Sequence, residues 1–456
     1  MKQAISSAYS FIKNNVNQGH SRSVKAKKNI LASFAIRGAS IAISLVLVPL
    51  TINYINATSY GIWMTLSSIV GWFSFFDIGF GHGLRNKFAE CVAKKNYRLA
   101  RQYVSTTYAI LTLIIVAVLL VFFAVNPLLE WSSILNAPPE MARELSLLAL
   151  IVFTFFSIQF VLKLITTVLA ANQEPAKANF WVFLGSILSL IIIFILTKTT
   201  QGNLVYLGMA LSFTPVFILL LSSLWYYRKE YRKFSPSIRL VNFKLSKDLV
   251  GLGGKFFIIQ IGVIVLLSTN NIIITQIFGP TEVTSFNIAY KLFSVVTMCF
   301  GIIVGPLWSA YTEAYVKGEM EWIRNILSKM NKIWFLCILA CGVVLLCSPY
   351  LYQFWIGDSV DIPFELSLAM GIFVITYIWH QIYVFFLNGT GIIQLQLYLV
   401  IVTALANIPL AIFFGQKFGL AGISLTSALL YTIMGAVYYV QTKKILNGTA
   451  KGIWMQ

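Results

Sequence analysis

Residues 104–126 read VSTTYAILTLIIVAVLLVFFAVN, 23 positions without an Asp, Glu, Lys, Arg or His. At 1.5 Å per residue a helix of that length is about 35 Å long, enough to cross the roughly 30 Å hydrocarbon core of a bilayer. The two flanks of the stretch differ in sign. Arg85, Lys87, Lys94, Lys95, Arg98 and Arg101 precede it, whereas Glu130, Glu140 and Glu144 follow it. Because Lys and Arg collect in cytoplasmic loops, the stretch predicts a membrane-spanning helix that leaves the cytoplasm at its N-terminal end.

Working outward, comparable runs lie near 29–54, 60–80, 145–169, 180–199 and 204–226. After a long basic connection more follow, near 250–278, 284–308, 332–349, 365–388, 394–414 and 419–441. The expectation is an all-α integral membrane protein with 12 transmembrane helices. Composition agrees: 58% of the 456 residues are apolar and 11% charged, which leaves too little polar surface for a soluble chain of this length. Of the 34 Lys and Arg, 27 fall on the side of the termini, 3 opposite (Arg143, Lys198 and Lys417) and 4 inside spans. Both termini are therefore expected in the cytoplasm. The net charge of +19 would suit nucleic acid only if it sat on a solvated domain, and none is present, so no nucleic-acid partner is expected.

The segment 1–28 reads as a basic cytoplasmic tail, without the apolar core of a secretory signal. Ala4, Ile5, Ala8, Tyr9, Phe11, Ile12 and Val16 fall near helical spacing, so a short amphipathic helix and a disordered tail both fit. Spans one to six make an N-terminal lobe over 29–226. A basic stretch, 227–249, links it to a C-terminal lobe over 250–441, and 442–456 forms a second tail. The five cysteines, Cys91, Cys299, Cys337, Cys341 and Cys347, contain no C-x-x-C pair. Neither a disulfide nor a metal role is expected for them, and no cofactor is implied.

The halves resemble each other. Thr58-Ser59-Tyr60-Gly61-Ile62 reads against Thr284-Ser285-Phe286-Asn287-Ile288, and Glu90, Lys94 and Arg101 read against Glu313, Lys317 and Arg324. Six spans per half is an even number, so the two lobes share one orientation, related by a pseudo-two-fold axis along the membrane normal around a central pathway.

Ionisable groups inside spans cost roughly 2.5–3.5 kcal/mol each at a helix centre on insertion scales, so their positions are informative. They are Arg37, Asp77, Lys163, Lys255 and Lys291. Arg37 lies among small residues, Gly38, Ala39 and Ser40, and suits the wall of a cavity. For Asp77 a structural ion pair with Arg37 or Arg85 and a coupling site both fit. Lys163 and Lys255 lie within about two turns of the cytoplasmic end and can snorkel there, and Lys291 can do so outward. Ser268-Thr269-Asn270-Asn271, Gln260 and His380-Gln381 are polar but uncharged. Helix-to-helix hydrogen bonding and pathway lining fit them equally.

The opening Asn29-Ile30-Leu31, then Ser59-Tyr60-Gly61-Ile62-Trp63, and above all Phe76-Asp77-Ile78-Gly79-Phe80-Gly81 followed by Leu84-Arg85-Asn86-Lys87, resemble the Wzx-type O-antigen and capsule flippases. These form the polysaccharide branch of the multidrug/oligosaccharidyl-lipid/polysaccharide exporter superfamily. The resemblance covers the length, span count and duplication of the whole chain. It implies a MATE-like fold in a bacterial inner membrane, and alternating-access transfer of an undecaprenyl-diphosphate-linked oligosaccharide from the inner to the outer leaflet. Arg37, Lys255, Lys291, Asn270 and Gln260 are the substrate-binding candidates, and Asp77 and His380 the candidates for coupling to H+ or Na+. Membrane lipids, a polysaccharide polymerase and a chain-length regulator are the implied partners. A MATE-like cation or drug antiporter is the alternative. A membrane polymerase or ligase fits less well, because the outer loops are short and no nucleophile-base pair is recognisable, so no enzymatic activity is expected.

Overall fold

The computed structural model describes residues 21–73, 80–172, 174–250, 254–305 and 307–455. Its first half contains α1 (Ser21–Ile55), α2 (Ala57–Gly71), α3 (Phe80–Ala93), α4 (Tyr97–Val125), α5 (Ala142–Leu162), α6 (Leu164–Ala171), α7 (Pro175–Thr199) and α8 (Leu204–Arg228). The second contains α9 (Gly254–Phe278), α10 (Pro280–Val304), α11 (Leu307–Val316), α12 (Met320–Ile356), α13 (Phe364–Thr390) and α14 (Gln394–Leu446). Short helical turns join them, and no strand occurs among the described residues. Helices are what these apolar runs must form in lipid, where every backbone N–H and C=O has to find its partner within the segment.

Among the described residues 10 helices are long and apolar enough to span a bilayer, against the 12 expected. The difference has two visible sources. α2 has only 15 residues. α14 has 53 residues but is broken at Gly419, with φ 61° and ψ −149°, a conformation essentially restricted to glycine. Unbroken, α14 would run about 80 Å.

The helices alternate between two faces. One carries 94–96, 172 and 174, 317–319, 391–393 and the linker; we call it the linker face. The far face carries 126–141, 200–203, 279 and 357–363. The linker is not a loose tether. Arg101 Nε donates to the Ser235 carbonyl at 2.7 Å, Asn242 N–H to Thr106 Oγ1 at 3.0 Å and Tyr103 to an Asp248 carboxylate oxygen at 3.1 Å. Leu249 is fully buried, and a Cβ on Gly83 would overlap its carbonyl.

The internal repeat is visible in helix register. α2 and α10 start at Ala57 and Pro280, and α4 and α12 start at Tyr97 and Met320, the same spacing in both cases. The Glu-Lys-Arg match keeps this register, whereas the match of Thr58-Ser59-Tyr60 to Thr284-Ser285-Phe286 is three residues out of it. The repeated arginines also share a task. Arg101 holds the linker after its own half, and Arg324 Nη2 donates to the Leu446 carbonyl at 2.5 Å, at the end of α14. Glu90 pairs with Lys94 at 2.7 Å, and this hydrogen bond and the flanking lysine charges hold its carboxyl below the usual range.

Buried apolar side chains gather in three clusters. One spans Ile259 to Ile445 within the second half. One lies toward the far face of the first half but also takes in Ile288, Tyr352 and Ile356. The third lies toward the linker face of the first half. In α13, 61% of the spanning window is buried, against 17% in α12. Thus α13 is internal, while α12 turns Leu336, Leu339, Val343 and Leu346 outward, where lipid would meet them.

Candidate functional site

The halves meet along α2, α9 and α10. Near the far face the junction is tight. Thr58 and Thr281 hydroxyls are 2.8 Å apart, Thr65 and Thr275 hydroxyls 2.6 Å apart, and Thr284 donates to the Ala57 carbonyl at 2.6 Å. Gly61 has no room for a side chain, because a Cβ would overlap the Pro280 carbonyl. From the periphery, Gln276 Nε2 donates to the Ile134 carbonyl at 2.7 Å and Trp355 Nε1 to the Leu45 carbonyl at 2.7 Å. This lattice seals the far face.

Beneath the seal lies a cavity of about 190 Å³, whose walls include Ser68 from α2, Asn270 and Asn271 from α9, Asn287 and Tyr290 from α10, and Ser427 from α14. A polar chain crosses it: Asn287 Nδ2 donates to Asn271 Oδ1 at 2.9 Å, and Asn271 Nδ2 donates to Ser68 Oγ at 2.9 Å. Asn270 Nδ2 donates to Ser427 Oγ at 3.2 Å, but Asn270 Oδ1 and Ser424 Oγ are buried without a partner among the described residues.

A second cavity, about 570 Å³, lies toward the linker face and is walled by α3, α5, α6 and α7, with Gln260 of α9 at its edge. Arg85, Gln159, Lys163, Thr166, Thr167 and Asn179 supply its polar surface. Lys163 sits at the junction of α5 and α6, where its backbone stays helical with φ −59° and ψ −18°, and Thr166 Oγ1 donates to the Lys163 carbonyl at 2.7 Å. Among the described residues no carboxylate lies within ion-pairing distance of Arg85 or Lys163. The described lining residues therefore carry two cations and no carboxylate, a balance suited to an anion. Arg85 reads in the sequence as topology and Lys163 as a snorkelling lysine. Helix packing, which sequence does not display, brings both into one cavity wall.

Of the expected site residues, Asn270 and Gln260 line the two cavities, ten residues or about 15 Å apart along α9. Lys291 is half-buried on α10, one turn toward the linker face from Asn287, again with no carboxylate partner among the described residues. The backbone of Arg37 lies in α1, but its side chain and that of Lys255 lie outside the described residues, as does Asp77 altogether. His380 lines neither cavity. It is buried in the second half between Tyr431 and Tyr438, with ring centroids 5.0 and 5.3 Å away.

The model of a polysaccharide biosynthesis protein family matches residues 26–311. The chain belongs to that family. Among curated relatives, a putative O-antigen transporter of Salmonella typhimurium is 21% identical over 395 residues, covering 84% of this chain and 88% of the relative. A putative O-antigen transporter of Salmonella typhi is 23% identical over 423 residues, covering 89% and 93%. Among solved structures, an inward-facing multidrug-resistance MATE transporter of the MOP superfamily superimposes with a TM-score of 0.75 at 16% identity, covering 92% of this chain and 98% of the other. The family member is thus a multi-pass membrane protein with the MATE fold, as expected from its sequence.

Proposed function

We propose that this protein moves a lipid-linked oligosaccharide, carried on undecaprenyl diphosphate, across the bacterial inner membrane by alternating access. The observation that carries the reading is the pair Arg85 and Lys163, cationic and free of carboxylates among the described residues, in a cavity that lies on the linker face of a closed far-face seal. A diphosphate gains charge-assisted hydrogen bonds there, bidentate from the guanidinium. The O-antigen relatives support the same substrate class.

In this reading the linker face is cytoplasmic, as the basic residues argue, and the far face is periplasmic. The chain crosses twelve times: α2 with α3 makes the second pass, and the two limbs of α14 make the last two. Lobes 29–226 and 250–441, with tails 1–28 and 442–456 and linker 227–249, rock about the central cavity. The headgroup loads from the cytoplasm while the lipid tail stays in the bilayer. Arg37 is a further substrate-binding candidate in this reading: residue 37 lies 17 positions before Tyr54 on α1, and the Tyr54 hydroxyl is 2.8 Å from that of Thr200. Lys255 and Lys291 are further substrate-binding candidates of the same reading. An inside-negative potential favours outward movement of an anion by about 2.3 kcal/mol per charge per 100 mV. Coupling to H+ or Na+ through Asp77 belongs to the same reading, with His380 as a second candidate. A polymerase and a chain-length regulator would receive the product.

A cation exporter would need carboxylates facing its substrate; the described lining residues of both cavities contain none. Complementation tests the reading. A strain lacking its own O-antigen flippase should regain surface polysaccharide, and cells deleted for this protein should accumulate the lipid-linked repeat unit. Cation-drug resistance without such accumulation would transfer the assignment to the exporters.

A further inference from the structure

The central cavity beneath the seal differs in chemistry from the cationic one. Its lining holds three asparagines, four serines counting Ser268, one tyrosine and the apolar Met64, Leu267, Phe286 and Phe373, with no carboxylate, lysine, arginine or histidine. A diphosphate would find no counter-charge there, and a cationic drug no carboxylate. What the cavity offers is a set of amide and hydroxyl groups, each able to donate or accept, beside the faces of Tyr290 and Phe373.

Two of these groups are incomplete. Asn270 is 4% exposed and Ser424 1%, yet Asn270 Oδ1 and Ser424 Oγ lack a hydrogen-bond partner among the described residues. A buried polar atom left unsatisfied costs stability unless something completes it. A polyhydroxylated ring can do so, because each sugar hydroxyl donates one hydrogen bond while accepting others, and its C–H face packs on aromatic side chains. The cavity holds about six water volumes at roughly 30 Å³ each, which suits a single pyranose ring.

We propose that Asn270, Asn271, Asn287 and Ser427 form a sugar subsite that recognises one ring of the oligosaccharide while the diphosphate rests in the separate cationic cavity, near Arg85 and Lys163. The inference rests on the flippase reading above and divides its site in two: charge selects the carrier, and neutral hydrogen bonds select the sugar. It also couples recognition to gating. The chain Asn287–Asn271–Ser68 ties α10 and α9 to α2 just below the seal. A sugar hydroxyl that takes over Asn271 removes one of the bonds joining the halves.

The test uses the purified full-length protein in nanodiscs and two probes: undecaprenyl diphosphate carrying the repeat unit, extracted from cells deleted for this protein, and bare undecaprenyl diphosphate. Wild type should prefer the glycosylated probe. Asn270→Leu and Asn287→Leu should each weaken it by about tenfold, the cost of a lost hydrogen bond plus an unpaired group, with the bare probe unchanged. Arg85→Gln with Lys163→Gln should weaken both probes. Equal loss of both probes in the asparagine variants, or no loss of either, overturns the sugar subsite. Undiminished binding of both in the Arg85/Lys163 variant overturns the flippase site instead. Should the asparagine variants fail to fold, Met64→Cys, made without Cys299 and Cys347, provides a positional readout. Its alkylation should be blocked by the glycosylated probe and not by the bare one; blocking by neither or by both overturns the proposal.

Discussion

Thr58 and Thr281, separated by 223 residues in sequence, hydrogen-bond through their hydroxyls at 2.8 Å. Each is the second residue of its helix, α2 and α10 respectively. Equivalent residues of a repeat touch one another only where the axis relating the halves passes between them. The neighbouring contacts are reciprocal in the same sense. Thr284 donates to the Ala57 carbonyl, and Gly61, its counterpart in register, packs its bare Cα against the carbonyl of Pro280, the counterpart of Ala57. The far-face seal is therefore built on the internal repeat.

Covalent closure at this point should stop transport. Thr58→Cys with Thr281→Cys, in a background where the exposed Cys299 and Cys347 are replaced by serine, should form a disulfide under mild oxidant. The oxidised protein should lose flipping in proteoliposomes and regain it on reduction, while either single substitution stays active. Unimpaired flipping by the cross-linked form would show that the far face does not open along α2 and α10.

Gly61 makes the opposite prediction. A methyl group there displaces the Pro280 backbone, which cannot yield as a side-chain tip can. Gly61→Ala should leave the far face ajar, and overpacking of a fitted contact costs typically 1–3 kcal/mol. Added to the double-cysteine variant, it should slow formation of the disulfide between positions 58 and 281 by about tenfold or more, with normal membrane insertion. Gly38→Ala should have no such effect, since a Cβ there has nothing within 4 Å.

How far this arrangement was legible beforehand differs by level. Spans were readable because each apolar run must satisfy its own backbone in lipid, and the Glu90-Lys94-Arg101 match even had the correct register. The Thr58 and Thr284 match did not, because short, small-residue motifs at helix starts align almost as well one turn out of step. Asn270 and Gln260 stood out as amides in lipid, but their separation into a neutral and a cationic cavity depends on helix packing. Arg85 was hidden by its neighbours: among the six basic residues that precede the apolar stretch 104–126, sequence spacing cannot tell which one turns inward. The place of His380 also depends on packing, because tyrosine rings enclose it inside one half.

Charge in the cationic cavity should matter far more than charge on the loop beside it. Arg85→Gln should lower affinity for undecaprenyl diphosphate by about 10- to 100-fold, since hydrogen bonds to charged groups contribute roughly 1.5–3 kcal/mol. Arg85→Lys should recover part of that loss by keeping the charge without the bidentate fork. Lys94→Gln, which removes an exposed ion pair to Glu90 that lines neither cavity, should change affinity less than twofold. Equal effects at positions 85 and 94 would reduce Arg85 to a topological charge.

The linker face supplies a pH-dependent prediction. Tyr231 is buried, donates to a Glu174 carboxylate oxygen at 2.7 Å and accepts from Asn172 at 2.8 Å. Burial, then the Glu174 hydrogen bond, push its phenol well above the usual value. A pKa raised on folding stabilises the native state while the group stays protonated in both states, and this contribution declines once pH rises past the unfolded value of about 10. Tyr231→Phe should accordingly melt below wild type at pH 7–9, by about 0.5–1.5 kcal/mol for the lost hydrogen bond. The gap should narrow as pH climbs above about 10, where only the wild type must keep an ionisable phenol buried. A gap that stays constant to pH 11 would mean that folding does not raise the Tyr231 phenol.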